Sequence, residues 1–317
     1  MASIYRGQWA NERLAEISRR MPVYKDDPVQ MQGLNALIVV IRHMYSCLPE
    51  EFRPELADES HLILQISRAT CFDEAIPIIK ADKLSVMDEI CPGWQDHAPE
   101  SFLSLMTSDV MNEAFWQRDE LLLYDTPFYY KPLKKDWEPD PLPADRLAIA
   151  KASTIECHDG EPDRDSRLCD LINPIFRYPH QIGHGWYCLP VPDWPVILRV
   201  KYPYYGTGIA LTGLRALELC APQLDDNGTM LNFSRHRTQW YQLIAAVRLR
   251  GSPEALDLVS LFRNDGSDIK VSEDVKFLIR HSCMLFYIRT AQTEPSNPSN
   301  PSNPSDFRRR RAEPPPL

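Results

Sequence analysis

Apolar residues recur at spacings of three and four between Val29 and Leu48. Met31, Leu34, Leu37, Ile38, Ile41, Met44 and Tyr45 would share one side of a helix there, a face made for burial. Pro49 ends the pattern. A more polar helix is expected over residues 8–21, and two short ones over His61–Arg68 and Phe72–Lys80. A further helix is expected over Pro99–Gln117, with Phe102, Leu105, Met106, Val110 and Met111 on one side. Its start has the right chemistry: Asp96 can cap it, Pro99 suits a first turn, and the dipole favours Glu100.

The second half has a different rhythm. Leu121–Tyr130 turns aromatic, and strand structure is expected to begin there. Residues 131–146 are a Pro-rich polar connection, and residues 157–170 are polar again. Strand-length apolar runs follow at Val196–Val200, Trp240–Leu249, Leu256–Phe262 and Cys283–Arg289, with turn residues between them. Helices first and antiparallel strands later predict an α+β fold. The expected organisation is a helical leader over 1–22 and one globular domain over 23–291, helical over 23–130 and β-rich over 186–291. A disordered tail is expected over 292–317, where Pro-Ser-Asn repeats precede Arg308–Arg311 and a Pro-rich end.

Composition narrows the function classes. The chain has 317 residues, 44% of them hydrophobic, enough for a sizeable core. Its net charge of -9 argues against binding a polyanion, so no nucleic-acid partner is expected. The longest apolar run, Ala36–Ile41, is far short of the roughly 20 residues of a membrane span, so no membrane is expected. The N-terminus lacks a secretory apolar core, which predicts an intracellular protein, cytoplasmic or nuclear. The eight cysteines form no Cys-x-x-Cys pair and read as reduced thiols.

Candidate chemistry is sparse. Cys47 stands at the wrong end of its helix for a nucleophile, where the dipole raises a thiol pKa. Cys157, Cys169, His180, His184 and Cys188 have metal-ligand chemistry, but Cys157 and Cys169 are not tightly paired. Gly206 and Gly208 are a lone Gly-x-Gly, better read as a turn than a phosphate loop. Aromatic residues gather at Phe128–Tyr130 and at Tyr202, Tyr204 and Tyr205, as protein-binding anchors or as core. No cofactor is expected.

Several segments, in order, resemble the ubiquitin-specific proteases, a papain-like cysteine protease family. Gly33, Leu34 and Asn35 are similar to the start of that family's Cys-box helix, and Trp94–Glu113 to its Gln-Gln-Asp-Ala-x-Glu-Phe-Leu helix. Leu189–Tyr202 and Leu217–Asp226 resemble the segments around its hydrophobic groove. Trp240–Gly251, Asn264–Val275 and Cys283–Arg289 resemble its closing strands and the turn between them. The resemblance implies a papain-like fold. It places the nucleophilic Cys within Leu37–Ile41, where there is none, and the catalytic His near Asp257. Asp265 stands where the third member belongs, and the family's zinc-binding Cys pairs are missing.

The expected protein is thus a non-catalytic protease-like module that binds or scaffolds a protein, ubiquitin or a ubiquitin-like one. Trp186, Trp194, Tyr202, Tyr204, Tyr205 and Asp265 are the candidate binding residues. Two alternatives stay open. One is an enzyme of another class with a site around His180, His184 and Cys188. The other is an α+β interaction protein of unrelated fold.

Overall fold

The structure is a computed structural model that describes residues 27–52, 61–68, 76–96, 98–124, 129–132, 138–139, 145–157, 166–183, 186–204, 209–224, 231–252, 255–262, 268–269 and 281–290. The helix expected over 8–21 and the tail from 292 lie outside the described residues. The helices are α1 (Gln32–Cys47), α2 (Leu62–Arg68), α3 (Ile76–Ile90), α4 (Phe102–Met106), α5 (Asp109–Met111), α6 (Arg146–Ala152), α7 (Leu168–Arg177) and α8 (Leu211–Arg215). The strands are β1 (Tyr129–Pro132), β2 (Glu138–Pro139), β3 (Thr154–Glu156), β4 (His180–Gly183), β5 (Trp186–Leu189), β6 (Ile197–Tyr202), β7 (Ala216–Leu224), β8 (Leu231–Arg248), β9 (Leu258–Phe262), β10 (Asp268–Ile269) and β11 (Cys283–Arg289). The fold is α+β.

α1 is buried on every side, which is more than the one-sided face its sequence predicts. Two polar residues that would have formed its wet face, Arg42 and His43, reach backbone carbonyls inside instead. Arg42 Nε donates to Ser67 O (2.8 Å), near the end of α2, and His43 Nε2 pairs with Phe262 O (2.8 Å) at the end of β9. A buried polar group without such a partner costs about 1–3 kcal/mol. The helix therefore serves as the pillar on which α2, α4, β8 and β9 pack.

The larger sheet runs β10-β9-β8-β11-β6-β3, with β7 also paired to β8. Its described pairings are antiparallel except β3 with β6. Cys283–Ile288 of β11 are all buried, the mark of a central strand covered on both faces. A smaller sheet, β2-β1-β5-β4, is antiparallel throughout.

Three expectations change. The helix expected over Pro99–Gln117 is broken into α4, α5 and a π turn at Asn112–Trp116. Ser101 and Ser108 each cap a new start, accepting from Ser104 N (3.0 Å) and Met111 N (3.2 Å). Short hydroxyls compete with the backbone in this way and divide a helix. Asp96 therefore caps nothing there: it closes a single 3-10 turn, Trp94–Asp96, and Ser101 is the cap. Helix also persists into the second half as α6, α7 and α8. Asn173 of α7 ties to the outer edge of β7, donating to Glu218 O (3.0 Å) and accepting from Cys220 N (2.8 Å). Among the described residues no helix is long and apolar enough to cross a membrane.

Candidate functional site

A thiol nucleophile is favoured at a helix N-terminus, where the dipole stabilises a thiolate. α1 begins with Gln32 and Gly33, directly after a 3-10 turn over Val29–Met31. Leu37–Ile41, where the resemblance placed the nucleophile, lie in the middle of the helix and are fully buried. Neither Gln32 nor Gly33, in the first turn of α1, carries a nucleophile.

The segment Pro99–Phe102 lies directly over this turn. A methyl group on Gly33 would stand 2.9 Å from Phe102 N, so only glycine lets the segment approach so closely. Two residues flanking the turn between β8 and β9 hold it. Asp257 Oδ2 accepts from Phe102 N (2.8 Å), and Arg250 Nη2 donates to Pro99 O. Asp257 is buried, which raises its carboxyl above the ordinary range, and the N–H groups of Phe102 and Arg250 oppose that rise. The residue at the expected position of the catalytic His is thus an acid engaged in holding backbone.

Cys91 stands nearby, half-buried, with Sγ donating to Glu100 Oε1 (3.3 Å). Desolvation pushes its thiol up and Glu100 pushes it further. That is the reverse of what activates a nucleophile. His43 and Cys47 are closer to a catalytic pairing in composition, with Sγ to Nε2 at 3.6 Å. Both are buried, and burial drops the imidazole to about 4. The same Nε2 is engaged with Phe262 O.

Two of the aromatic residues expected to bind a partner are buried instead. Trp194 and Tyr202 are each 1% exposed and have no surface to offer a partner. Trp194 packs against Phe176, and its backbone is held at φ 54, an unusual conformation for a bulky residue. Arg289 Nη1 donates to its carbonyl (2.8 Å). Tyr202 Oη accepts from Ile209 N (3.1 Å). Both are core residues: Tyr202 ends β6, and Trp194 lies just before that strand. Tyr204 is half-buried, and its N–H donates to Ser282 Oγ (3.0 Å). Trp186 lies in β5 opposite Pro132. Tyr205 and Asp265 lie outside the described residues.

The metal candidates are also separated. Cys157, Cys169 and Cys188 are buried, and desolvation pushes the Cys157 thiol up to about 12. His180 faces Cys188 across the β4–β5 pairing, but its Nε2 is bonded to Ile175 O (3.0 Å). His184 lies outside the described residues. Among the described residues no three His, Cys, Asp or Glu side chains are grouped to hold a metal ion.

No family model matches the chain, and no curated protein does. Solved structures do. The chain is similar to the Saccharomyces cerevisiae apo Pan2 pseudoubiquitin hydrolase–RNA exonuclease module in complex with A7 RNA. The TM-score is 0.36 at 10% identity, over 87% of this chain and 51% of that one. The same module with AAUUAA RNA gives 0.33 at 8%, again over 87% and 51%. With AAGGA RNA it gives 0.32 at 9%, over 91% and 51%. The chain thus spans about half the length of the structures it matches. The likeness is distant, and it is to a pseudoubiquitin hydrolase module rather than to the ubiquitin-specific proteases in particular. At these scores it carries no argument about what this chain binds.

One expectation is corrected here. Nucleic acid was excluded as a partner on net charge, yet the similar modules are complexes with RNA. A charge of -9 is an average over the whole chain and describes no single surface. The exclusion does not stand, nor does the restriction to protein partners.

Proposed function

We propose that this chain is a non-catalytic, ubiquitin-hydrolase-like domain that acts as a binding or scaffold module, its fold lying within residues 23–291. The observation that supports this reading most is the covered first turn of α1. Gln32 and Gly33 open the helix without a thiol, the residue bonded across from them is the acid Asp257 and not a histidine, and the Phe102 backbone covers the turn between them. Hydrolysis through a thiolate requires a nucleophile, a base within reach and room for a carbonyl carbon. This arrangement supplies none of the three. A fold without its chemistry keeps its surfaces, and those are what a scaffold uses.

The test is direct. The full chain is incubated with ubiquitin C-terminally linked to aminomethylcoumarin, and separately with a ubiquitin vinyl sulfone that alkylates active-site thiols. No fluorophore release above the buffer rate and no adduct are expected. Release, or an adduct mapped by mass spectrometry to Cys91 or Cys47, would overturn the proposal.

A further inference from the structure

The end of β8 and the turn that follows read Arg248-Leu249-Arg250-Gly251-Ser252-Pro253. Gly251 and Ser252 are exposed, and a methyl group on Gly251 would meet nothing within 4 Å. The Ser252 carbonyl accepts from Ala255 N (3.1 Å), so the backbone folds tightly here. Both arginines are half-buried and reach back to backbone: Arg248 Nη2 donates to Leu256 O (2.9 Å), and Arg250 Nη2 donates to Pro99 O. Both of these acceptors are neutral carbonyls. Burial raises the carboxyl of Asp257, and Arg250 and Arg248 are among the groups that pull it back down. The exposed serine therefore stands beside the same cations and acid that govern the Pro99–Phe102 segment.

Ser252-Pro253 is the one Ser-Pro pair in the 317 residues, and Thr126-Pro127 the one Thr-Pro. A hydroxyl residue followed by proline is the acceptor that proline-directed protein kinases take. Proline also biases the residue before it toward extended or turn backbone and away from helix.

We propose that Ser252 is a phosphorylation site, and that its phosphate draws Arg250 off Pro99 and loosens the segment covering the first turn of α1. In the transfer Ser252 Oγ attacks the γ-phosphorus of Mg-ATP. The new O–P bond forms as the bond to the β–γ bridging oxygen breaks, ADP leaves, and the hydroxyl proton passes to the kinase's carboxylate base. The product carries about −1.5 to −2 charges at pH 7. Two residues apart, Arg250 and Ser252 have Cα atoms at most roughly 7 Å from each other, within the span of an arginine side chain. A hydrogen bond between ions is roughly twice as strong as one between neutral groups, and a guanidinium binds phosphate through two N–H groups at once. The phosphate thus outcompetes the Pro99 carbonyl for Arg250. Of the two ties from this turn to the covering segment, only that from Asp257 to Phe102 N then remains. This goes beyond the scaffold reading, because it makes the covered turn adjustable.

The full chain is incubated with Mg-ATP and a proline-directed serine kinase, and the modified peptides are mapped by mass spectrometry. Phosphate on Ser252 is expected, and its loss in Ser252→Ala. A second preparation has phosphoserine placed at position 252 during translation, and its amide exchange is compared with that of the unmodified chain. Exchange at Glu100–Phe102 should rise roughly tenfold, as for the loss of one hydrogen bond to a charged group. The β8 amides over 241–247 should stay unchanged. In Arg250→Gln, exchange at Glu100–Phe102 should already be fast, and the phosphate should add nothing. Four outcomes would overturn the proposal: no phosphate at Ser252, exchange at Glu100–Phe102 unaltered by phosphoserine, a rise that spreads equally through β8, or the same rise in Arg250→Gln.

Discussion

The guanidinium of Arg199 lies 4.1 Å from the ring centroid of Trp116, with both side chains in the core. Arg199 is 1% exposed, and desolvation drops it to about 9. Nη2 donates to Ala150 O at the end of α6, Nη1 points to Met106 Sδ (4.0 Å), and no carboxylate among the described residues pairs with it. The ring face and the helix-end carbonyl therefore do the work of a counter-charge. Replacing a buried charge with an apolar residue of similar volume is often neutral or stabilising. Arg199→Met should accordingly change unfolding free energy by less than about 1.5 kcal/mol, while Trp116→Ala, which leaves both a cavity and an unshielded cation, should cost about 4 kcal/mol or more. Urea unfolding of the two variants beside the parent chain tests this. A larger loss in Arg199→Met than in Trp116→Ala would mean that the cation itself holds the core together.

His43 makes stability depend on pH. Burial lowers its pKa from 6.5 to about 4, so the unfolded chain holds more protons between those values. Unfolding free energy should therefore fall as pH drops from 6.5 toward 4, by up to roughly 1.4 kcal/mol per unit from this residue. Above 6.5 the dependence on this residue should vanish. The check is urea unfolding at pH 7, 5.5 and 4.5 in the parent chain and in His43→Gln. The variant should lose about one proton from the slope, and an unchanged slope would show that His43 is not the group responsible.

Parts of this fold were legible in the sequence. α1, β6, β9, β11 and the Trp240–Arg248 part of β8 come from runs whose period or apolar length admits one reading, whereas the polar first half of β8 carries no such signal. α7 was harder, because Leu168, Cys169, Ile172 and Phe176 form a helical face that adjoins a polar stretch and contains Pro174. Aromatic residues misled for a different reason. Trp194 and Tyr202 have the composition of binding anchors, yet both are buried in the core, and composition alone does not separate the two. Arg199 left a trace in Ile197–Tyr202, a cation inside an apolar strand, but its ring partner is far away in sequence. The covered first turn of α1 depends on Phe102 and Asp257 meeting across the whole domain, which no local pattern reports.

Gly33 should tolerate no side chain. Alanine is the better helix former by about 1 kcal/mol, so propensity alone predicts a gain. The added methyl would instead press on the backbone of Glu100–Phe102, which Asp257 and Arg250 hold from the other side. Overpacking of this kind costs about 1–3 kcal/mol. Gly33→Ala should therefore lower stability, whereas Gly251→Ala, with nothing within 4 Å of the added group, should change it little. Thermal melts of the two variants decide it, and a stabilised Gly33→Ala would mean that Pro99–Phe102 is free to lift away.

Asp257 should behave as a holder of backbone and not as a catalytic remnant. Its Oδ2 accepts from Phe102 N, so Asp257→Asn keeps an acceptor of the same shape while removing the charge. Asp257→Ala removes both and leaves the Phe102 amide without its acceptor, a cost of about 1–3 kcal/mol. Hydrogen exchange at Phe102 should rise strongly in the alanine variant and modestly in the asparagine variant, with the α1 core amides unchanged in both. The charge contributes in the opposite sense. Burial has raised this carboxyl, so ionisation costs the folded state more than the unfolded one, and the parent chain should lose stability as pH rises through the folded pKa. Asparagine removes that penalty, so its deficit relative to the parent should shrink as pH rises. A deficit that grows with pH would show that the charge is attractive here, supplied by Arg250 and Arg248, and that the acid stabilises the turn it closes.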